Sequence, residues 1–225
     1  MAHVLDNPGW AALTGPHAHL AEVRGNVRRY RPDVSVFLGV AGEPELDDWA
    51  AIAAFAGPGR TVSLTFEAPV PDGWEIVHDI EGVQLDGSAV WGEPFADAVV
   101  LTPDDVPDML DLVARTEPGP FLPRTIEMGV YLGVRHEGKL VAMAGERLHP
   151  PGWTEISAVC TDASFRGQGL ATRLVLAVAA GIRARGETPF MHASASNVTA
   201  IRLYEKLGFT LRARRLFRQV RAPGR

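Results

Sequence analysis

The sequence predicts a mixed α/β fold. Three observations carry that prediction. Apolar runs of strand length alternate with helix-period segments along the chain. Gly- and Pro-based turn signals separate them. A glycine-rich turn stands between a strand and a strongly amphipathic helix. The 225 residues allow one large domain or two small fused ones. With 46% apolar and 22% charged residues the composition is globular, which excludes disordered, collagen-like and coiled-coil chains. One cysteine excludes a disulfide scaffold and a cysteine-built metal site, and it fits a reducing cytosol. No apolar run approaches the ~20 residues of a membrane helix. Met1 to Asp6 lacks the basic flank and apolar core of a signal peptide, so a cytoplasmic location is expected.

The elements follow in order. Asn7-Pro8-Gly9 and Gly15-Pro16 precede a helix expected over His17 to Tyr30. Val34 to Val40 reads as a buried strand, and Leu46 to Phe55 as a helix stopped by Gly57-Pro58-Gly59. Thr61 to Phe66 alternates as a strand, and Trp74 to Leu85 is one long strand or a pair. Residues 87–94 read as a linker. The pattern then restarts with a short strand, Ala98 to Leu101, and a helix opened by Thr102-Pro103-Asp104-Asp105 that runs to about Arg115. A proline-rich loop, 117–123, leads to a hairpin of 129–135 and 140–148 turning at His136-Glu137-Gly138-Lys139. A strand follows over Thr154 to Thr161. Residues 1–90 and 97–225 are expected as two regions.

Charge is uneven. Residues 211–225 hold six arginines and no acid, so the rest of a chain with net charge −5 carries −11. A basic tail can serve nucleic acid. Here Leu211, Leu216, Phe217 and Val220 interleave with the arginines, as in a final edge strand with a charged outer face. Nucleic-acid binding is therefore not expected, nor is a membrane partner.

The informative segment is Val159 to Thr172, which contains Arg166-Gly167-Gln168-Gly169-Leu170-Ala171-Thr172. Leu170, Leu174, Val178 and Ile182 form one apolar stripe behind it. Two glycines at a helix start let a ligand approach the backbone, and the free N–H groups of 167–172 then suit a phosphate. A P-loop would need Lys-Ser/Thr after Gly169, which is absent. A dinucleotide fingerprint would need a third glycine where Thr172 stands and several strands after it, although Glu187 sits where a ribose-binding acid would. A tight structural corner is the remaining alternative.

At these residues the chain resembles the GNAT N-acetyltransferase superfamily, whose [RQ]-x-x-G-x-[GA] motif is matched by Arg166, Gly169 and Ala171. Asn197 to Phe209, with Tyr204 and Gly208, resembles a second signature about 30 residues on. The resemblance covers roughly 97–220 and looks most like the branch of glycine N-acyltransferases and two-part bacterial acetyltransferases. Those carry an N-terminal half-domain without the motifs, the part residues 1–90 would play. The resemblance implies a GNAT acyl-CoA fold, acetyl-CoA as cofactor, and a cofactor site of Val159, Cys160, Thr161, Arg166, Gly167, Gln168, Gly169, Leu170, Ala171, Thr172, Asn197 and Tyr204.

Acetyl transfer to an amine needs a base, because a lysine-type amine has pKa ~10.4 and is mostly protonated near neutrality. Glu155 is the candidate catalytic base. Along the strand it is expected to share one face with Ser157, Val159 and Thr161, and it matches the strand position where several GNAT histone acetyltransferases place a catalytic glutamate. A water chain, or a structural pair of Glu155 with Arg147, are the alternatives. Backbone amides near Val159 and Thr161 could polarise the thioester carbonyl where the family's strand bulges. Tyr204 is the candidate catalytic acid for the leaving thiolate. Seven residues from Asn197, it lies within about 20° of it on a helix. Asn197 can also cap that helix, and Tyr204 can be plain core. Cys160 reads as a buried structural thiol rather than a nucleophile. The histidines are scattered, with His192 beside the expected groove, and no metal is assigned.

The acceptor is expected to be the primary amine of a small molecule or amino acid, attacking directly in a ternary complex. Its wall would draw on Glu117, Arg124, Glu127 and the prolines between 117 and 123. Alternatives are a protein lysine or N-terminal acceptor, or a non-catalytic acyl-CoA-binding regulator. A homodimer is allowed.

Overall fold

The computed structural model describes residues 3–224. Helix α1 (Pro8–Thr14) begins where the Asn7 side chain accepts from the Trp10 N–H at 3.2 Å, with proline in its first turn. The helix expected over 17–30 is instead a short 3-10 turn and a hairpin, β1 (Ala21–Arg24) and β2 (Val27–Tyr30). Gly25 decides this. At φ 57 it opens a two-residue turn with Asn26, a geometry that matches strand twist. Strand β3 (Leu38–Val40) completes a small antiparallel sheet and is shorter than the run expected over 34–40. Then come α2 (Leu46–Ala56), β4 (Thr61–Leu64) and β5 (Glu75–Asp86), which is a single strand.

The remaining elements are β6 (Val99–Val100), α3 (Val106–Thr116), β7 (Tyr131–His136), β8 (Lys139–Glu146), β9 (Trp153–Thr161), α4 (Leu170–Ala184), β10 (Thr188–Ser194), α5 (Val198–Lys206) and β11 (Thr210–Arg221). The β7–β8 turn places Glu137 and Gly138 both at positive φ, as a tight hairpin turn requires.

Eight strands form one sheet in the order β4-β11-β5-β10-β9-β8-β7-β6. Of its pairings only β9–β10 is parallel. Strand β5, from the first ninety residues, lies between β10 and β11, so the sheet runs without a break across residues 90–97. Residues 87–94 are likewise held. The Arg183 guanidinium donates to the carbonyls of Gly87, Ser88 and Val90, and a Cβ on Gly92 would stand 2.3 Å from the α4 backbone.

Strand β11 is flanked by β4 and β5, so it is not the edge strand the sequence suggested. Its arginines find acids within the chain. Arg212 and Arg215 meet Asp6, Arg218 meets Asp79 at 2.8 Å, and Arg221 meets Glu75. The acidic first part of the chain thus neutralises much of the basic tail. Among the described residues no helix is long and apolar enough to cross a membrane.

Helices α4 and α5 cover one face of the sheet. Leu170, Leu174, Val178 and Ile182 are all buried there with Ile156 and Met191, as the stripe predicted. The opposite face carries two clusters. One packs Leu5, Leu13 and Tyr30 onto Leu148 and Phe190. The other packs Met109 and Leu112 of α3 onto Met143 and Cys160.

His17 joins the N-terminal region to this second face. Its Nε2 lies 3.0 Å from the Met128 carbonyl and its Nδ1 2.8 Å from the Tyr30 hydroxyl. A carbonyl only accepts, so Nε2 carries the proton and Nδ1 accepts from Tyr30. Burial, and then the nearby His149, push the His17 pKa down to about 3. Above the ordinary histidine pKa of 6.5 both folded and unfolded chains hold it neutral. Below that value the unfolded chain takes up a proton that the folded one refuses. Stability is therefore expected to fall between pH 6.5 and about 3, with this residue contributing up to about 1.4 kcal/mol per pH unit. Thermal melts across that range should show His17→Gln with a flatter acid limb than wild type; parallel limbs would contradict it.

Candidate active site

Strands β9 and β10 pair only from Trp153–Thr188 to Ile156–Met191, then separate. Strand β10 continues its pairing with β5 alone. On its other side β9 carries a bulge. Ala158 stands at φ 53, and the register with β8 steps from Gly145↔Ser157 to Met143↔Cys160. The separation opens a cleft of about 690 Å³. The glycine turn lines one end, Val159, Cys160 and Tyr204 the middle, and Arg147, Ser157 and His192 the other end.

The bulge corrects the face assignment made from sequence. Beyond Ala158 the alternation reverses, so Val159 packs towards α4 with Ile156, while Cys160 packs with α3. Glu155 and Ser157 therefore share a face with Cys160, not with Val159 and Thr161.

At the turn, Gly167 and Gly169 adopt φ 78 and 76, and Gly169 is the N-cap of α4. A Cβ on either would touch nothing within 4 Å. The demand for glycine is conformational, since a left-handed backbone costs other residues ~1–2 kcal/mol. Among the described residues the N–H groups of 167–172 have no acceptor. They lie at the positive end of a fifteen-residue helix. Arg166 is exposed beside them, and the buried Thr161 hydroxyl, also on the cleft, has no partner. Unpaired donors and a cationic side chain at one spot fit the diphosphate of coenzyme A.

Tyr204 is buried but borders the cleft. Burial and then Cys160 push its phenol up to about 12. It stays protonated at neutral pH. Burial likewise pushes the Cys160 thiol up to about 11, which leaves it un-ionised and unsuited to nucleophilic attack. Asn197 lines the cleft and caps α5 through its Oδ1, which accepts from the Ala200 N–H at 3.1 Å. Of the expected acceptor wall, Glu117 and Pro118 reach the cleft. Arg124 and Glu127 pair with each other, and Arg124 also with Asp33, away from the lining.

Glu155 is fully buried, and both its oxygens are engaged. Arg147 donates Nε to Oε2 at 2.9 Å and Nη2 to Oε1 at 2.6 Å. His192 Nδ1 lies 2.7 Å from Oε1. Burial alone would raise this carboxyl, but Arg147 and then His192 outweigh it and hold the group well below the ordinary range. An ionised, fully bonded carboxylate is poorly suited to collect a proton near neutrality. A feature the sequence reading missed fixes its partner. Gln84, also fully buried, approaches His192 Nε2 at 3.0 Å with its amide nitrogen. Arg212 donates to the other end of that amide at 2.6 Å, which sets its orientation. His192 is thus the Nδ1–H tautomer, donating to Glu155. The contact between 84 and 212 spans 128 residues, and no local signal announces it.

Residues 131–218 match the FR47-like protein family. A solved structure from Novosphingobium aromaticivorans, described as an acetyltransferase from the GNAT family, is 38% identical. Its match covers 97% of this chain and 98% of that one, with a TM-score of 0.89. A GCN5-related N-acetyltransferase from Kribbella flavida shares the fold at TM-score 0.61 and 19% identity, over 96% of this chain and 95% of that one. Mycothiol acetyltransferase of Thermomonospora curvata is 37% identical over 83 residues, which is 36% of this chain and 28% of the relative's length.

Removing Glu155 would leave the largely covered Arg147 without its counter-ion. Glu155→Ala is expected to cost about 3–5 kcal/mol of stability in chemical denaturation; a loss below 1 kcal/mol would show that the carboxylate does not hold the cleft floor.

Proposed function

Since the chain belongs to the GNAT acetyltransferase superfamily, we propose that it transfers an acetyl group from acetyl-coenzyme A to the primary amine of a small molecule or amino acid, with both held in the cleft at once. The observation that carries this reading is one cleft joining three things: an unpaired-amide cradle, a strand edge freed by β9–β10 separation, and a protonated phenol.

The amides of 167–172 and Arg166 would hold the diphosphate, with Thr161 and Asn197 beside it. The bound coenzyme supplies an activated thioester carbonyl. The edge of β9 beyond Ile156, which β10 no longer pairs, offers main-chain N–H groups that could polarise that carbonyl. The neutral amine forms the new C–N bond as the C–S bond breaks. With Glu155 bonded on both oxygens, the ammonium proton leaves to water in the open cleft. Tyr204 favours the departing sulfur as a hydrogen-bond donor. A phenol near 12 keeps its proton against a thiolate whose conjugate acid has pKa ~8.5, so the sulfur takes its proton from solvent. That refines the role of acid expected from sequence.

A small acceptor is favoured because the 117–125 loop, which borders the cleft, is fastened to the N-terminal region. The Thr125 hydroxyl donates to the Val34 carbonyl at 2.7 Å, and the Arg124 N–H to the Asp33 carbonyl at 2.9 Å.

Thiol release from acetyl-coenzyme A in the presence of an amine panel tests the reaction. Tyr204→Phe should lower kcat about 10-fold or more, because a hydrogen bond to a charged group contributes ~1.5–3 kcal/mol, and it should barely change coenzyme A affinity. Tight coenzyme binding with no thiol release against any amine would favour a regulator instead.

A further inference from the structure

We propose that Arg147 anchors the acceptor by its carboxylate, so that the substrate is an amine bearing a carboxylate, of amino-acid type. This rests on the acetyl-transfer reading and names the substrate class of the same cleft.

A guanidinium offers five N–H donors on a rigid planar fork. Glu155 takes one edge of Arg147, formed by Nε and Nη2. The other edge, formed by Nη1 and the second Nη2 hydrogen, has no protein acceptor among the described residues. Arg147 keeps 13% of its side chain exposed and lines the end of the cleft remote from the glycine turn, whereas Glu155 is wholly covered.

The fork is held rigidly. Phe37 stacks on the guanidinium with Cζ 4.8 Å from the ring centre. The main chains of 147–148 and 155 exchange hydrogen bonds at 2.9 and 2.8 Å. Behind Glu155, His192, Gln84 and Arg212 follow in one chain of fixed polarity, with Asp6 accepting from Arg212 at 2.6 Å. A buried ion pair stabilises a fold little compared with apolar packing. Side chains from the N-terminal segment, β5, β10 and β11 converge to hold this one, and its open edge borders the cleft.

The chemistry of that edge selects the ligand. Two parallel N–H groups match a planar carboxylate. A phosphate dianion would place two more negative charges beside Glu155. An ammonium would find no free carboxylate oxygen there. The Arg147–Glu155 pair is neutral as a whole, which suits a ligand that carries a positive or neutral amine with its carboxylate.

The test compares amino acids with their decarboxylated amines by thiol release. Wild type should prefer the carboxylate-bearing member at least 10-fold in kcat/KM. The Arg147→Gln/Glu155→Gln double variant removes both buried charges together. It should raise KM for the acids at least 10-fold, reduce the preference for an acid over its decarboxylated amine to about 2-fold or less, and keep coenzyme A affinity. Equal use of both members by wild type, or an undiminished preference in the variant, would overturn the proposal. If no amine of either kind releases thiol, the acetyl-transfer reading fails. Calorimetry with the amino acids and desulfo-coenzyme A then decides for Arg147: binding by wild type but not by the variant sustains it, and no binding by wild type overturns it. A double variant that fails to fold leaves the wild-type comparison of acid and amine, with the same two outcomes.

Discussion

Two parallel strands that begin paired and then part are the constraint from which the site follows. Strands β9 and β10 share four register positions before they diverge. A parallel pair that stayed together would satisfy its main-chain groups across the gap and leave no cleft. The bulge at Ala158 turns β9 away on one side, and β5 holds β10 on the other. The cleft therefore runs from one face of the sheet to the other. Its two ends meet different chemistry because the faces are covered differently, by α4 and α5 on one and by α3 and the N-terminal region on the other.

The ends also differ in electrostatic design. At the turn, unpaired main-chain dipoles and Arg166 offer positive potential with no built-in counter-ion. At the opposite end the positive group carries its counter-ion with it, as Glu155, buried and bonded on every side. The first arrangement suits a strongly charged, exchangeable ligand. The second holds a donor edge in place without a large net charge at the floor of the cleft. The contributions of the N-terminal region to this floor, through Phe37, Gln84 and Asp6, explain why a chain whose motifs all lie after residue 150 is organised around its first ninety residues as well.

Much of the second half was legible because its signals are local. Gly138 fixed the β7–β8 turn, the stripe from Leu170 to Ile182 fixed the buried side of α4, and the glycines at 167 and 169 fixed the left-handed turn that opens α4. The 17–30 segment is a hairpin rather than the expected helix because the Gly25-Asn26 turn, with Gly25 at φ 57, prevails over a stretch that has no clear helical period. Face assignment on β9 failed past residue 158 because a bulge shifts alternation by one and leaves no mark in a sequence whose bulged residue is an alanine. Insertion of β5 between β10 and β11, and the His192–Gln84–Arg212 chain, depend on pairings over a hundred residues apart that periodicity does not encode. Charge imbalance gave an indirect trace of the same contacts, since the arginines of β11 required acids from elsewhere.

The claim that most of this depends on is that the main-chain amides after Arg166 hold the coenzyme. Amide hydrogen exchange with and without coenzyme A measures it directly. Slowed exchange concentrated at residues 167–172, together with the edge of β9 beyond Ile156, is the expected result. Protection confined to other segments, or an exchange pattern that saturating coenzyme A leaves unchanged, would contradict it.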